Sequence, residues 1–426
     1  MSGPIDKTKP YQDKVLALSP EAVDRVLDVF RQKTDYAAAA NLNSCVHCGL
    51  CADSCHYYLS DGETESLPAH KLNLISSVFK KHFTPSGKII PTIVGAKKLD
   101  KEMIGQWVDS LFGRCTLCGR CALNCSVGIN ISRLIRIGRT ALVSADLVPT
   151  ELQATVNTAK DKGNNMGIPG QEWVETVQWL EEELRQETQD PKASFPIDQK
   201  GADVLYTVNP REPKFFPLSL LATAKVFYAA KESWTVSSSF FDVTNYGLFS
   251  GDDDTAGLLS LRLLQAARQL GVKTLVLGEC GHGFNANRWE APEWLAQEYG
   301  IEVRSILEII ADYIRDGRLR FDRSRIGKPV TLHDPCNLVR LGGISEEQRF
   351  ILKSCVADFV EMYPNREKNF CCGGGGGQLS MTGYAARRIR AGGIKAEQIK
   401  KTGAKVVVAP CHNCIDQLSE LNKEYK

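Results

Sequence analysis

The sequence predicts an α + α/β fold, a helical N-terminal region followed by a pseudo-duplicated α/β region. Three observations carry this. Eight cysteines fall in two four-cysteine runs before residue 126, among segments with helical periodicity. From about residue 201, short β-rich runs alternate with helix-length stretches, the pattern of layered α/β architecture. Within that second region a strand recurs: the run GVKTLVLG at 271–278 matches GAKVVVAP at 403–410, each leading into a Cys-containing turn.

Residues 1–40 read as a polar tail and one helix. Ser19-Pro20-Glu21 is its start signal, and Val23, Val26, Leu27 and Phe30 follow at helical spacing. Residues 41–145 form a helical domain around the two cysteine runs, with helices expected over 71–82 and 100–112. Residues 146–200 read as a helical linker, broken at Gly163-Asn164-Asn165, whose end at 181–196 is expected to be a solvated connector. Residues 201–325 and 326–426 read as two related halves. Strands are expected at 204–208, 274–278, 330–333 and 405–409, and helices at 258–270 and 385–401. In the repeat frame Glu279 and His282 fall opposite Cys411 and Cys414, so the first half is a degenerate copy.

Composition excludes several classes. With 52 basic and 50 acidic residues, net +2, nothing marks a nucleic-acid or membrane-surface protein. No apolar run approaches the roughly 18–20 residues that span a bilayer, and residues 1–14 lack a signal-peptide core. The expectation is a cytoplasmic chain without a membrane span, which could serve a membrane only by docking on a partner. Fifteen cysteines in such a chain point to metal rather than disulfides. Cys355, alone in the helical run 349–360, reads as a small buried hydrophobe.

Cys45, Cys48, Cys51 and Cys55 form a C-x2-C-x2-C-x3-C run, and Cys115, Cys118, Cys121 and Cys125 form a second. Three thiolates on a tight loop reach three irons of one [4Fe–4S] cube; in two-cluster ferredoxins the fourth cysteine ligates the other cube. Cys45, Cys48, Cys51 and Cys125 are therefore assigned to one cubane, and Cys115, Cys118, Cys121 and Cys55 to the second. Gly49 and Gly119 suit a loop where a side chain would meet sulfide. Zinc favours separated cysteine pairs over such runs. The proline common after the fourth cysteine is replaced by His56 and Ser126. His56 and His47 are expected beside the clusters or in solvent rather than as ligands.

A third set comprises Cys336, the pair Cys371-Cys372 followed by Gly373, and Cys411 with Cys414 in Cys411-His412-Asn413-Cys414. Each element follows an expected strand or opens a helix, which gathers five thiolates at the carboxyl edge of a parallel sheet. Adjacent cysteines cannot easily serve one metal but can serve different irons of an opened cluster. The glycines 373–377 let backbone approach it.

These residues resemble the cysteine-rich "CCG" domain of heterodisulfide reductase, and the double run ahead of it resembles the fused D-type subunit of the membrane-bound enzyme. The resemblance implies a non-cubane [4Fe–4S] cluster on Cys336, Cys371, Cys372, Cys411 and Cys414 that cleaves, or in the other direction forms, a disulfide or trisulfide of a thiol partner. The D-type subunits carry two complete CCG sets, whereas this chain has one. That departure is closer to subunits of sulfate-reducer transmembrane redox complexes, which implies as partners a cytochrome b-type membrane subunit, further iron–sulfur or multihaem cytochrome subunits, and a small disulfide- or trisulfide-carrying protein. It also implies a place on the inner face of the cell membrane, in anaerobic respiration. Electrons would pass through both cubanes to the third cluster. His333, Asp334, His412, Glu279 and His282 are candidates for proton delivery, and Cys280 for lining the third site. The stretch Arg387, Arg388, Arg390, Lys395, Lys400 and Lys401 reads as a solvated helix face or a dock for an acidic partner. Two other readings stand beside this one: a pure electron-relay subunit, and the iron–sulfur subunit of a quinone-linked lactate or glycerol-3-phosphate dehydrogenase. The chain has no strand–GxGxxG–helix fingerprint, so the last would need a flavin partner.

Overall fold

The computed structural model describes residues 9–296 and 300–426. The first eight residues of the expected tail lie outside the described residues. Helix α1 (Pro20–Lys33) begins as its sequence dictates: Ser19 accepts a bond from the Ala22 amide and Pro20 fills the first turn. Its Val26 and Phe30 pack into one core with α2 (Pro68–Phe83), a π-turn at Val108–Phe112 and α3 (Ile131–Val143). That core continues into the α/β region through Tyr246, Phe249, Met381 and Tyr384.

The expected connector at 181–196 is instead built into the core. Helix α4 (Gly170–Thr188) runs through its first half and buries Trp173, Val177, Leu180 and Leu184 on one face; Ala193 and Phe195 beyond it are buried too. Its glutamates occupy the opposite, solvent-facing side, which is why the stretch reads as a linker in sequence.

The α/β region holds two parallel sheets. The first has the order β2-β1-β3-β4, from β1 (Val204–Thr207), β2 (Trp234–Thr235), β3 (Thr274–Leu277) and β4 (Glu302–Ser305). The second has the order β6-β5-β7, from β5 (Val330–Leu332), β6 (Phe359–Val360) and β7 (Val406–Val408). Helix α5 (Asp253–Leu270) leads into β3 and α6 (Ala385–Thr402) leads into β7. Each ends on a glycine with φ of 68°, Gly271 and Gly403, the left-handed cap that turns a helix toward a strand. Each following strand then pairs with the first strand of its sheet, Val204 opposite Thr274 and Val330 opposite Val406. The sequence repeat is thus a cap-and-strand unit used once per sheet.

The basic stretch of α6 is not a single solvated face. Lys395 is fully buried and donates to Asn369 Oδ1 at 2.6 Å. Arg388 is buried between Gln417 and Glu420 of α7 (His412–Tyr425). Arg387 bonds Asp109 of the π-turn at 2.9 Å and so joins the helical and α/β regions. Helical periodicity displays six cations in this stretch but not which of them the partner elements cover.

Candidate functional site

The two four-cysteine loops share one backbone conformation. His47 and Gly49 have φ of 54° and 81°; Leu117 and Gly119, at the same offsets in the second run, have 53° and 74°. Alternating left-handed residues curl the chain so that three thiols face inward and amides point at them, an anion-cradling arrangement. The Leu117 amide donates to Cys115 Sγ at 3.3 Å. Both glycines are required by their positive φ, and at Gly119 a Cβ would also press on Leu341 Cδ2 at 3.0 Å.

Cys45, Cys48, Cys51 and Cys125 surround one small cavity, closed by Ala69 and Leu72 of α2 and by Ile129 and Ile131. Cys115, Cys118, Cys121 and Cys55 surround a second of the same size, with Tyr57, Lys71 and Thr116 in its wall. In each, the fourth thiol comes from the other loop. Lys71 is 2 % exposed, bonds the Arg114 carbonyl and lies 3.9 Å from Cys55 Sγ, so a fixed cation faces four prospective thiolates. His56 is buried with its Nε2 unpartnered, whereas His47 is exposed.

The third set forms a buried cluster of its own: Cys336, Cys371, Cys372, Cys411 and Cys414. Cys336 follows β5 and Cys411 follows β7, at the carboxyl edge of the sheet. The adjacent pair diverges. Cys371 Sγ lies 3.9 Å from Cys336 Sγ, while Cys372 Sγ lies 3.5 Å from Cys414 Sγ. The amides of Gly373 and Gly374 donate to the two sulfurs at 3.4 Å. Contacts with Cys118 and Cys336 lower the pKa of the Cys371 thiol and contacts with Cys371 and Cys414 lower that of Cys372, while the same contacts push Cys118, Cys336 and Cys414 up. Cys371 and Cys372 are thus the members of these pairs that deprotonate first, and the thiolate is the form that iron binds. The Cys371 contact with Cys118 places the second and third cysteine sets in direct touch.

The proton candidates separate. Asp334 is locked by two 2.8 Å bonds from Arg349 and one from Gln348, a structural pair in place of a proton donor. Its carboxyl, despite burial, is held below the ordinary range by that guanidinium. His282 lies between Tyr246 and Phe249 in the wall of the third cavity, and burial drives its pKa to about 3. His333 is fully buried with its Nε2 unpartnered; a nitrogen of its ring and the Cys372 and Cys414 sulfurs lie within 4.8 Å of one another. His412 sits 3.7 Å from Glu212, and Glu279 beside it is pushed up to about 7 by burial. Gly281 and His282 of the first half line the cavity, while the Cys280 thiol turns to the His282 ring at 3.3 Å.

Three arginines at the junction are not visible as site residues in sequence. Arg139, fully buried, donates to the carbonyls of Leu111, Cys115, Phe249 and Gly376. Arg340 bonds the Cys118 carbonyl at 2.7 Å and Arg120 the Lys368 carbonyl at 2.8 Å. Arg139 fixes the second cysteine loop against the glycine loop, and Arg340 and Arg120 fix it against the segment 367–369. Gly376 has φ of 64°, and a Cβ there would come within 2.6 Å of Thr116 Cα. Gly376→Ala is expected to cost about 2–4 kcal/mol through strain and backbone collision. Anaerobic melts should show it, with visible absorbance lost earlier than in wild type.

The donor sets fit iron–sulfur clusters on physical grounds. Four or five thiols converge on each cavity, and buried donors with no other partner stand among them: Thr116 Oγ1 at the second, and His333 Nε2 and Asn413 Nδ2 at the third.

Comparison with known proteins agrees. Residues 41–129 match the 4Fe-4S dicluster domain and residues 330–419 the Cysteine-rich domain, CCG. The chain is 29% identical to the Hdr-like menaquinol oxidoreductase iron-sulfur subunit 2 of Archaeoglobus fulgidus, over 87% of this chain and 74% of that protein. It is 25% identical to the D-type subunit of the dihydromethanophenazine:CoB–CoM heterodisulfide reductase of Methanosarcina barkeri, over 89% of this chain and 88% of that one. It is also 22% identical to the EtfAB:quinone oxidoreductase of Syntrophomonas wolfei, over 89% of this chain and 55% of the relative. No solved structure matches it. The chain is an iron–sulfur protein like the D-type subunit of heterodisulfide reductase, with a 4Fe-4S dicluster domain ahead of one CCG domain.

Proposed function

We propose that this chain is the iron–sulfur subunit of a membrane-associated redox complex, and that it passes electrons through two cubanes to a third cluster that reduces a disulfide or trisulfide. The first cubane is assigned to Cys45, Cys48, Cys51 and Cys125, and the second to Cys115, Cys118, Cys121 and Cys55. A non-cubane [4Fe–4S] cluster is assigned to Cys336, Cys371, Cys372, Cys411 and Cys414. When bound, that third cluster would supply single electrons to a substrate S–S bond; two electrons and two protons convert a disulfide to two thiols.

The observation that carries this reading over a pure relay is the surroundings of the third cysteine set. Its cavity shares Phe249 and Asn337 with a cleft of about 870 Å³ that runs between α3 and α5 and past Trp289 and Trp294. A cleft against the wall of the third site favours a site that takes a substrate over one that only relays charge. At the other end, Cys48 is exposed and Val46, Leu50 and Val127 stand exposed near it. An apolar rim beside an accessible ligand suits docking of an electron-exchanging partner, proposed as a cytochrome b-type subunit or a further iron–sulfur or multihaem subunit. No helix among the described residues is long and apolar enough to cross a membrane.

The test is anaerobic EPR of the oxidised chain before and after addition of a thiol or disulfide, with iron analysis alongside. About twelve irons and a new thiol-dependent signal are expected. A complement of about eight irons with no such signal would overturn the disulfide reading and leave electron relay.

A further inference from the structure

The overall charge balance conceals a local excess. Residues 66–99 contain six lysines and no aspartate, glutamate or arginine. Lys71 is buried at the second cysteine set, and the other five lie at the far end of α2 and in the segment after it. Two short helical turns there, Pro85–Ile89 and Pro91–Val94, present Ile89 at 78 %, Ile93 at 81 % and Ile90 at 42 % exposure. Lys88, Lys97 and Lys98 around them are exposed, and none of these or Lys80 and Lys81 makes an ion pair among the described residues.

This projection is held in place. The Lys97 amide bonds the Ser77 carbonyl at 3.0 Å, the Leu99 amide bonds His82 Nε2 at 3.2 Å, and Lys80 Nζ reaches the Val94 carbonyl at 3.4 Å. Gly87 lies so close to the Lys80 carbonyl that no side chain could stand there. The isoleucines are therefore displayed by a fixed scaffold.

We infer that residues 85–98 form a lipid-contacting element: Ile89, Ile90 and Ile93 enter the interfacial layer of a bilayer while Lys81, Lys88, Lys97 and Lys98 face anionic headgroups. The two features complement the two layers of such a surface, acyl chains below and negative charge above. A protein partner would need both an apolar pocket and a ring of acids; an anionic bilayer supplies the two together. The inference is independent of the chemistry at the third cysteine set, and it adds a direct membrane contact to the expected docking on a partner.

Co-sedimentation of the full-length, anaerobically prepared chain with vesicles tests it. Binding to phosphatidylcholine–phosphatidylglycerol vesicles is expected, weakening as salt rises, with little binding to phosphatidylcholine alone. Ile89→Asp with Ile93→Asp should lower binding at least tenfold, and Lys88→Glu with Lys97→Glu should remove the preference for phosphatidylglycerol, both at unchanged iron content. The inference is overturned if the wild-type chain ignores anionic vesicles, or if both variants bind like wild type. It is equally overturned if vesicle binding is absent while the isoleucine variant loses capture by detergent-solubilised membrane subunits, which would make the patch a protein contact.

Discussion

Replacing Cys371 with serine is expected to remove about four of about twelve irons and to abolish any thiol-dependent signal, while leaving the first cubane intact. Cys371 is the residue from which this loss should spread furthest. Its sulfur contacts Cys336 within the third set and Cys118 across the boundary to the second. The signal of the second cubane should therefore shift in the same variant, because the surroundings of a ligand sulfur are among the things that set a cluster's potential. Cys414→Ser separates the two effects: its partner is Cys372, away from Cys118, so the third cluster should fail without disturbing the second. Iron analysis with EPR at graded potentials reads both outcomes. An unchanged second signal in Cys371→Ser would mean that the two sets are not electronically adjacent.

Arg139→Met should produce the largest loss of stability available from one residue outside the cysteines. One guanidinium satisfies carbonyls from four places: Leu111 in the π-turn, Cys115 in the second cysteine loop, Phe249 in the first α/β half and Gly376 in the glycine loop. Methionine fills much of the volume and donates nothing. Buried carbonyls left without donors cost about 1–3 kcal/mol each, so a total near 4–6 kcal/mol is expected after local relaxation. Burial lowers the Arg139 pKa to about 10, which still leaves it charged at neutral pH, so the bonds are present throughout the working range. Lysine keeps the charge but cannot reach four acceptors in one plane, and Arg139→Lys should recover only a minor share. Melts followed by visible absorbance and by circular dichroism should fall together in wild type. In Arg139→Met the visible transition should come first, as the junction opens before the separate cores unfold.

The cysteine spacing displayed all thirteen residues that the structure gathers into three groups, because metal-binding chemistry demands particular residues at particular offsets. Strands β1, β3, β5 and β7 were also legible as apolar β-branched runs. Strands β2 and β6 are two residues long, and β4 reads Glu-Val-Arg-Ser at a sheet edge, so neither hydrophobicity nor length marks them. Helix α4 was legible as a helix, and its burial could have been read from Trp173, Val177, Leu180 and Leu184, which recur at helical intervals beneath a run of glutamates. Lys71, Arg139 and Lys395 could not: each is a charged residue on an ordinary helix, and only the approach of a distant segment makes it internal. Asp334 shows the same limit from the other side. Its position before Cys336 suggested proton chemistry, and the guanidinium of Arg349 claims both of its oxygens.

The uneven exposure of the cysteines sets an order of decay in air. Of the fifteen, all among the described residues, Cys48 alone is exposed, while the five of the third set are buried. Oxidants attack accessible thiolate sulfur first. Dioxygen would therefore bleach the protein from its outer end inward, and a sample handled carelessly would lose the outermost metal while the interior metal was still whole.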